Sequence, residues 1–274
     1  MNTEQIFQID IHNVLKKKSP QLYKKIPNFL INGFTKFICL DLLNDFIGKN
    51  SDLSGVDLLE KFLDTRGVCF NIYGEENIPV FENKCIFASN HPLGGLDGIC
   101  LSVIIGKKYD KRIRYLVNDI LYFIKPLQNI FVPINKHGSQ DRQAVVAIND
   151  ALASENQIIT FPAGLCSRKI KGKITDLEWK KMFVTKAVEY KRDIVPVYFE
   201  AKNSNFFYTI ANIRKKLCIK SNIEMLLLSR EMFKAKKTVF NVYFGKPVSW
   251  QTLDSTQTPQ QWANWLKKQV YSIK

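Results

Sequence analysis

The sequence has no apolar run of the roughly 18 residues that a membrane-spanning helix requires; its richest segment, Phe29 to Ile47, is broken by Lys36, Asp41 and Asp45. The opening MNTEQIFQIDIHNVLKKK places charge after a mixed stretch, contrary to the basic-then-apolar order of a secretory signal. Six cysteines are scattered without a C-x-x-C pair, which argues against a disulfide framework and for a reducing compartment. H-E-x-x-H, G-x-S-x-G, P-loop and dinucleotide-binding glycine patterns are all missing, so metal, serine-hydrolase and nucleotide chemistry lack their usual sequence support. Of the three histidines, His12 and His137 lie in polar surroundings and read as surface residues.

What is present suits a folded enzyme-sized chain. The 274 residues are 46% hydrophobic and 12% aromatic, enough for a sizeable core. Forty Lys and Arg against 25 Asp and Glu give a net charge of +15. Residues 1–80 carry nine basic and ten acidic side chains, whereas residues 81–250 carry 28 and 14, so the cationic field belongs to the later region. Such a surface attracts polyanions: nucleic acid, an anionic membrane or an acidic carrier.

The pattern changes near residue 80. Before it, helical spacing dominates, as in Leu30, Phe34, Phe37, Ile38, Leu42 and Phe46, and again in Leu58, Leu59, Phe62 and Leu63. Residues 1–80 are therefore expected to form a small helical N-terminal region, and residues 81–274 the main domain. From Cys85 onward, short runs rich in Ile, Val and Phe alternate with amphipathic stretches, which predicts an α/β fold. Strands are expected at Cys85 to Ser89, Arg114 to Val117, Ile130 to Ile134, Gln157 to Phe161, Ile194 to Phe199 and Val239 to Phe244. Helices are expected at Gly98 to Ile105, Gln140 to Ser154, Leu177 to Tyr190, Phe206 to Leu217 and Pro259 to Tyr271.

Two loops following strands carry the least ordinary chemistry. The first, SNHPLGGLDG, holds His91 and Asp97; a carboxylate that accepts one ring N–H of a histidine fixes its tautomer and stabilises the imidazolium of general-base catalysis. On one straight helix the two would lie about 240° apart, so pairing requires an irregular turn, which Pro92, Gly94 and Gly95 permit. The second, FPAGLCSR from Phe161 to Arg168, runs on into Lys169, Lys171 and Lys173. Gly164 permits a sharp turn, and Arg168 with the lysines offers charge-assisted donors to phosphate or carboxylate oxygens. A glycine-rich turn with an incidental histidine and a turn with solvated lysines are the plainer alternatives. Cys166 or Ser167 as a hydrolase nucleophile is another, and so is a noncatalytic basic binding protein using Arg214-Lys215-Lys216 and Lys234 to Lys237.

Together these motifs resemble the PlsC-type glycerolipid and lysophospholipid acyltransferases over residues 80–250. Asn90-His91 with Asp97 matches the N-H-x4-D box with one extra residue; NIFVPINK, Asn129 to Lys136, stands where the second block lies; FPAGLCSR matches F-P-E-G-T-R-S; IVPV, Ile194 to Val197, matches the fourth block; and Trp179 to Lys191 resembles the helix joining the last two. The H-x5-D spacing and F-P-A-G resemble a bacterial branch of lyso-aminolipid O-acyltransferases. Ala163, Cys166 and Ile134 stand where the wider family has glutamate, arginine and arginine.

The resemblance implies a mixed sheet flanked by helices and transfer of a fatty acyl group from acyl carrier protein or coenzyme A to the hydroxyl of a lyso-lipid. The catalytic residues would be His91 and Asp97, with no metal or resident cofactor. Asn90, Gly94, Gly95, Lys136, Phe161, Pro162, Gly164, Ser167 and Arg168 would bind substrate, Gly164 supporting the oxyanion and Arg168 or Lys136 the acceptor's anionic head. A lyso-aminolipid of the ornithine or glycine type is favoured over lysophosphatidate, because the two arginine positions suited to a phosphate dianion are uncharged. The enzyme would sit as a monotopic protein on the anionic cytoplasmic face of the inner membrane, through its N-terminal helices, and no nucleic-acid partner is expected.

Overall fold

The structure is a computed structural model that describes residues 10–18, 20–118, 121–134, 142–219 and 222–274. Five helices come first, α1 (Ile11–Lys18), α2 (Pro20–Lys25), α3 (Asn28–Phe37), α4 (Leu40–Lys49) and α5 (Gly55–Arg66), followed by β1 (Cys69–Tyr73) and β2 (Cys85–Ser89). Then come α6 (Leu96–Lys108), β3 (Ile113–Asn118), β4 (Phe131–Ile134), α7 (Arg142–Ala153), β5 (Gln157–Thr160) and the short strands β6 (Arg168–Ile170) and β7 (Lys173–Thr175). The chain closes with α8 (Met182–Glu189), β8 (Asp193–Glu200), α9 (Asn205–Lys216), α10 (Leu228–Lys234), β9 (Val239–Phe244) and α11 (Pro259–Tyr271).

Seven strands form one sheet in the order β1-β9-β8-β2-β5-β3-β4, while β6 and β7 pair as a separate antiparallel hairpin. Within the large sheet only β8 and β9 run antiparallel. The five strands from β8 to β4 are therefore parallel, and their carboxyl ends share one edge. Strands buried on both faces must be apolar on both, and β2 shows it: Cys85 and Phe87 join the core under α5 and α6, whereas Ile86 and Ala88 join the core under α7, α8 and α11. The last helix starts cleanly because Thr258 and Gln261 form a capping box and Pro259 occupies its first turn.

This α/β architecture, with a helical N-terminal stretch, matches the expectation from hydrophobic patterning, and β2, β9 and α11 have the expected bounds. Other expected strands and helices shift by one to three residues at their ends, and three differences go further. The sheet reaches back across position 80, because β1 pairs with β9 and α5 packs into the main core. The helix expected from Leu177 starts only at Met182: the Trp179 indole folds back onto Asp176, and the Lys180 N–H bonds the Pro162 carbonyl. The lysine-rich stretch after Arg168 is not simply a loop but the β6–β7 hairpin, turning at Lys171 and Gly172, both with positive φ. Among the described residues no helix is long and apolar enough to cross a membrane.

Candidate active site

β2 is the central strand of the sheet, and the chain leaves its carboxyl end as Asn90-His91, beside the exit of β5 into Phe161-Pro162. Crevices at such strand ends are where open α/β sheets present their sites. Asn90 fastens the first loop to the neighbouring strand: its side-chain amide donates to the Phe199 carbonyl at 3.0 Å, and its side-chain oxygen accepts from the Phe199 N–H at 2.6 Å. Expected from the resemblance to meet substrate, Asn90 is instead occupied in holding the loop.

The loop then folds back so that His91 Nδ1 lies 3.0 Å from Asp97 Oδ2. Asp97 sits in the first turn of α6, fully buried, and also accepts backbone N–H bonds from Leu93 at 2.9 Å, Gly94 at 3.3 Å, Gly95 at 3.0 Å and Gly98 at 2.9 Å. Gly94 and Gly95 thus cradle the carboxylate. Gly94 has φ +75°, and a Cβ there would stand 2.8 Å from Cys166 and Leu228 side-chain carbons, so a side chain is excluded twice over. Burial by itself would raise the Asp97 pKa, but the His91 charge and hydrogen bond, with the N–H groups of Leu93 and Gly98, outweigh it and hold the carboxyl below its usual value. His91 is 8% exposed and its ring stacks on Phe161, with centroids 4.0 Å apart. With Nδ1 on Asp97, the ring nitrogen left to accept a proton is Nε2.

The second loop closes against the first through Ser167, whose N–H donates to the His91 carbonyl at 2.7 Å. Phe161 lies under the imidazole, and the Pro162 carbonyl receives the Lys180 N–H. Gly164 has φ +66°, and its N–H already donates to the Phe161 carbonyl at 2.8 Å, so that N–H forms the turn and is not aimed at an oxyanion. Ser167 is buried and donates its hydroxyl to Asp176 at 2.5 Å. Burial pushes the Cys166 thiol up to about 11, which keeps it protonated near neutral pH and removes it as a nucleophile. Neither residue supports a hydrolase reading.

Arg168 also departs from expectation. Its guanidinium is buried, donating to the Cys166 carbonyl at 2.7 Å and to Glu224 Oε1 at 2.7 Å. Arg214 Nε stands 2.8 Å from the other oxygen of Glu224, at an angle short of a hydrogen bond. One buried carboxylate is therefore shared by two arginines, and Arg168 is not an open fork awaiting an acceptor. Arg214 likewise leaves the surface run with Lys215 and Lys216 that a noncatalytic basic protein would use. Lys136 and His137 lie outside the described residues. Among the described residues no group of three His, Cys, Asp or Glu side chains could hold a metal ion.

The Asp97 cradle has a consequence for stability. A carboxyl whose folded pKa lies below its unfolded value, about 3.9, stabilises the fold above that value and loses the contribution as pH falls through the folded pKa. Asp97→Asn turns an amide toward N–H donors and should cost about 3–5 kcal/mol near neutral pH. In urea titrations this gap from the wild type should narrow below about pH 4; a gap constant from pH 7 to pH 3 would show that the carboxylate charge is not what the loop holds.

Residues 13–274 match the model of a family described as acyltransferase. The chain is similar over its full length to a lyso-glycine lipid O-acyltransferase of Phocaeicola vulgatus, at 48% identity with 98% of that protein covered. A lyso-glycine lipid O-acyltransferase of Bacteroides thetaiotaomicron is 44% identical, with both chains fully covered. The crystal structure of the 1-acyl-sn-glycerophosphate acyltransferase PlsC from Thermotoga maritima aligns with 89% of this chain and 95% of that one, at 18% identity and a TM-score of 0.48. With a family model spanning nearly all its residues and two full-length relatives, this chain belongs to the acyltransferase family.

Proposed function

We propose that the protein transfers a fatty acyl group from a thioester, on acyl carrier protein or coenzyme A, to the free hydroxyl of a lyso-glycine lipid, with His91 as general base. The observation that carries the chemistry is the buried His91–Asp97 pair at the carboxyl edge of the parallel strands. Asp97 holds the Nδ1 proton, so Nε2 takes the proton of the acceptor hydroxyl as its oxygen attacks the thioester carbonyl. A C–O bond forms, the tetrahedral intermediate collapses with cleavage of the C–S bond, and the proton passes from His91 to the departing sulfur. Every step is a proton or acyl transfer, which side chains perform without a resident metal or cofactor.

The acceptor class rests on the two relatives, which carry that name across the whole length of this chain. The charge of the site agrees. Ile134 and Cys166 stand where the resemblance expects arginines, and Arg168 is engaged by Glu224. A phosphate dianion calls for open bidentate guanidinium donors, and the FPAGLCSR loop presents none. A single carboxylate makes a smaller demand.

The same reading places the enzyme on a bilayer, where its substrates reside. On α3, Phe29 is 71% exposed, and Leu30, Phe34 and Phe37 are exposed beside it. Phe37 meets Phe206 of α9 edge to face, with the Arg230 guanidinium over both rings. An apolar face edged by cations fits peripheral contact with anionic lipid, the cytoplasmic face of the inner membrane being the proposed location.

Two measurements test this reading. Purified protein given lyso-glycine lipid and lysophosphatidate in competition, with one acyl thioester, should acylate the glycine lipid preferentially. Folded His91→Ala should fall by about 100-fold or more; preference for lysophosphatidate would reject the acceptor, and near wild-type turnover by His91→Ala would reject the base. Binding to anionic vesicles should weaken with salt but keep a resistant part, and Phe29→Ser with Leu30→Ser should remove that part. Unchanged binding of this variant at high salt would show that α3 does not enter the bilayer.

A further inference from the structure

We infer that Asp176 is a positioning residue that locks the histidine loop to the FPAGLCSR loop and so sets the His91 imidazole over Phe161. This rests on the reading of His91 as the base. Asp176 is 2% exposed, and its carboxylate has three donors from three places in the chain. Oδ1 accepts the His91 backbone N–H at 3.1 Å and the Ser167 hydroxyl at 2.5 Å, while Oδ2 accepts the Trp179 indole N–H at 2.8 Å. The His91 carbonyl meanwhile accepts the Ser167 N–H. Both backbone polar groups of His91 are thus tied to the segment from Ser167 to Asp176.

That arrangement reaches the ring itself. Phe161, stacked on the imidazole, belongs to the loop that Ser167 closes, so a slip between the loops moves the ring relative to both Phe161 and Asp97. The backbone of Asp176 is held in turn by the last helix: its N–H donates to the Tyr271 hydroxyl at 2.8 Å, and its carbonyl accepts Lys267 Nζ at 2.7 Å. Lys267 also bonds the Leu177 carbonyl at 2.9 Å. A connection therefore runs from α11 through Asp176 to the base. Asp176 touches the backbone of His91, whereas the ring nitrogen is bound by Asp97, so Asp176 acts on the position of the base.

The test compares Asp176→Ala, Asp176→Asn, Trp179→Phe and Asp176→Asn/Trp179→Phe, with His91→Ala alongside, as kcat, acceptor KM and folded fraction. Misplacing a reacting group by about 1 Å can cost on the order of 100-fold. Asp176→Ala should lower kcat per folded molecule by about 10- to 100-fold, with the acceptor KM unchanged. Trp179→Phe removes one donor but leaves both loop contacts, and should lose stability while keeping kcat. Asparagine opposes an amide to the indole N–H, so the double variant should recover the kcat that Asp176→Asn loses. If Asp176→Ala does not fold, this rescue pair carries the comparison. Wild-type kcat in Asp176→Ala or in the Asp176→Asn single variant, or an equal kcat loss in Trp179→Phe, would each overturn the inference. An active His91→Ala would instead overturn the reading on which it rests.

Discussion

Everything at the carboxyl edge of the sheet depends on the buried carboxylate of Asp97. A fully buried charge is costly unless its lone pairs are filled, and here four backbone N–H groups and one imidazole nitrogen fill them. The same contacts define the loop, since Leu93, Gly94, Gly95 and Gly98 must wrap the carboxylate in one conformation to satisfy it. His91 is therefore oriented by the same group that fixes the backbone carrying it. The dyad and the turn are one structure, built on the first turn of α6.

Two further buried carboxylates extend this logic outward. Asp176 ties the two loops to each other and to α11, and Glu224 ties Arg168 and, through it, the Cys166 carbonyl to the neighbourhood of α9. In a chain with 15 more basic than acidic side chains, these acids lie inside while much of the lysine faces solvent. The buried acids hold the two loops of the site in place.

The legible parts were those with local signals. β2 and β9 show as short apolar runs, and α11 as an amphipathic stretch opening on Thr258 and Pro259. His91 and Asp97 share one loop, six positions apart, so their pairing follows once the glycine-rich turn is recognised. β1 was hidden because it is an edge strand, largely exposed, whose pairing with β9 comes from 170 residues further along. Asp176 lies 85 residues from His91 and Glu224 lies 56 from Arg168, and nothing near either acid marks a partner. Hence the roles expected of Asn90, Ser167 and Arg168 shifted from substrate contact to internal bonding: the residue types were recognisable, but their partners were set by tertiary contacts. The extent of the helical N-terminal region shifted for the same reason, since α5 is buried by the main core.

Whether Asp97 holds the Nδ1 proton and leaves Nε2 of His91 as the base can be read from 15N and 1H NMR of the imidazole in the folded protein. The expected result is a neutral ring protonated on Nδ1, with a strongly downfield, slowly exchanging Nδ1 proton that is lost in Asp97→Asn. A neutral ring protonated on Nε2, or an Nδ1 signal unchanged by Asp97→Asn, would contradict it.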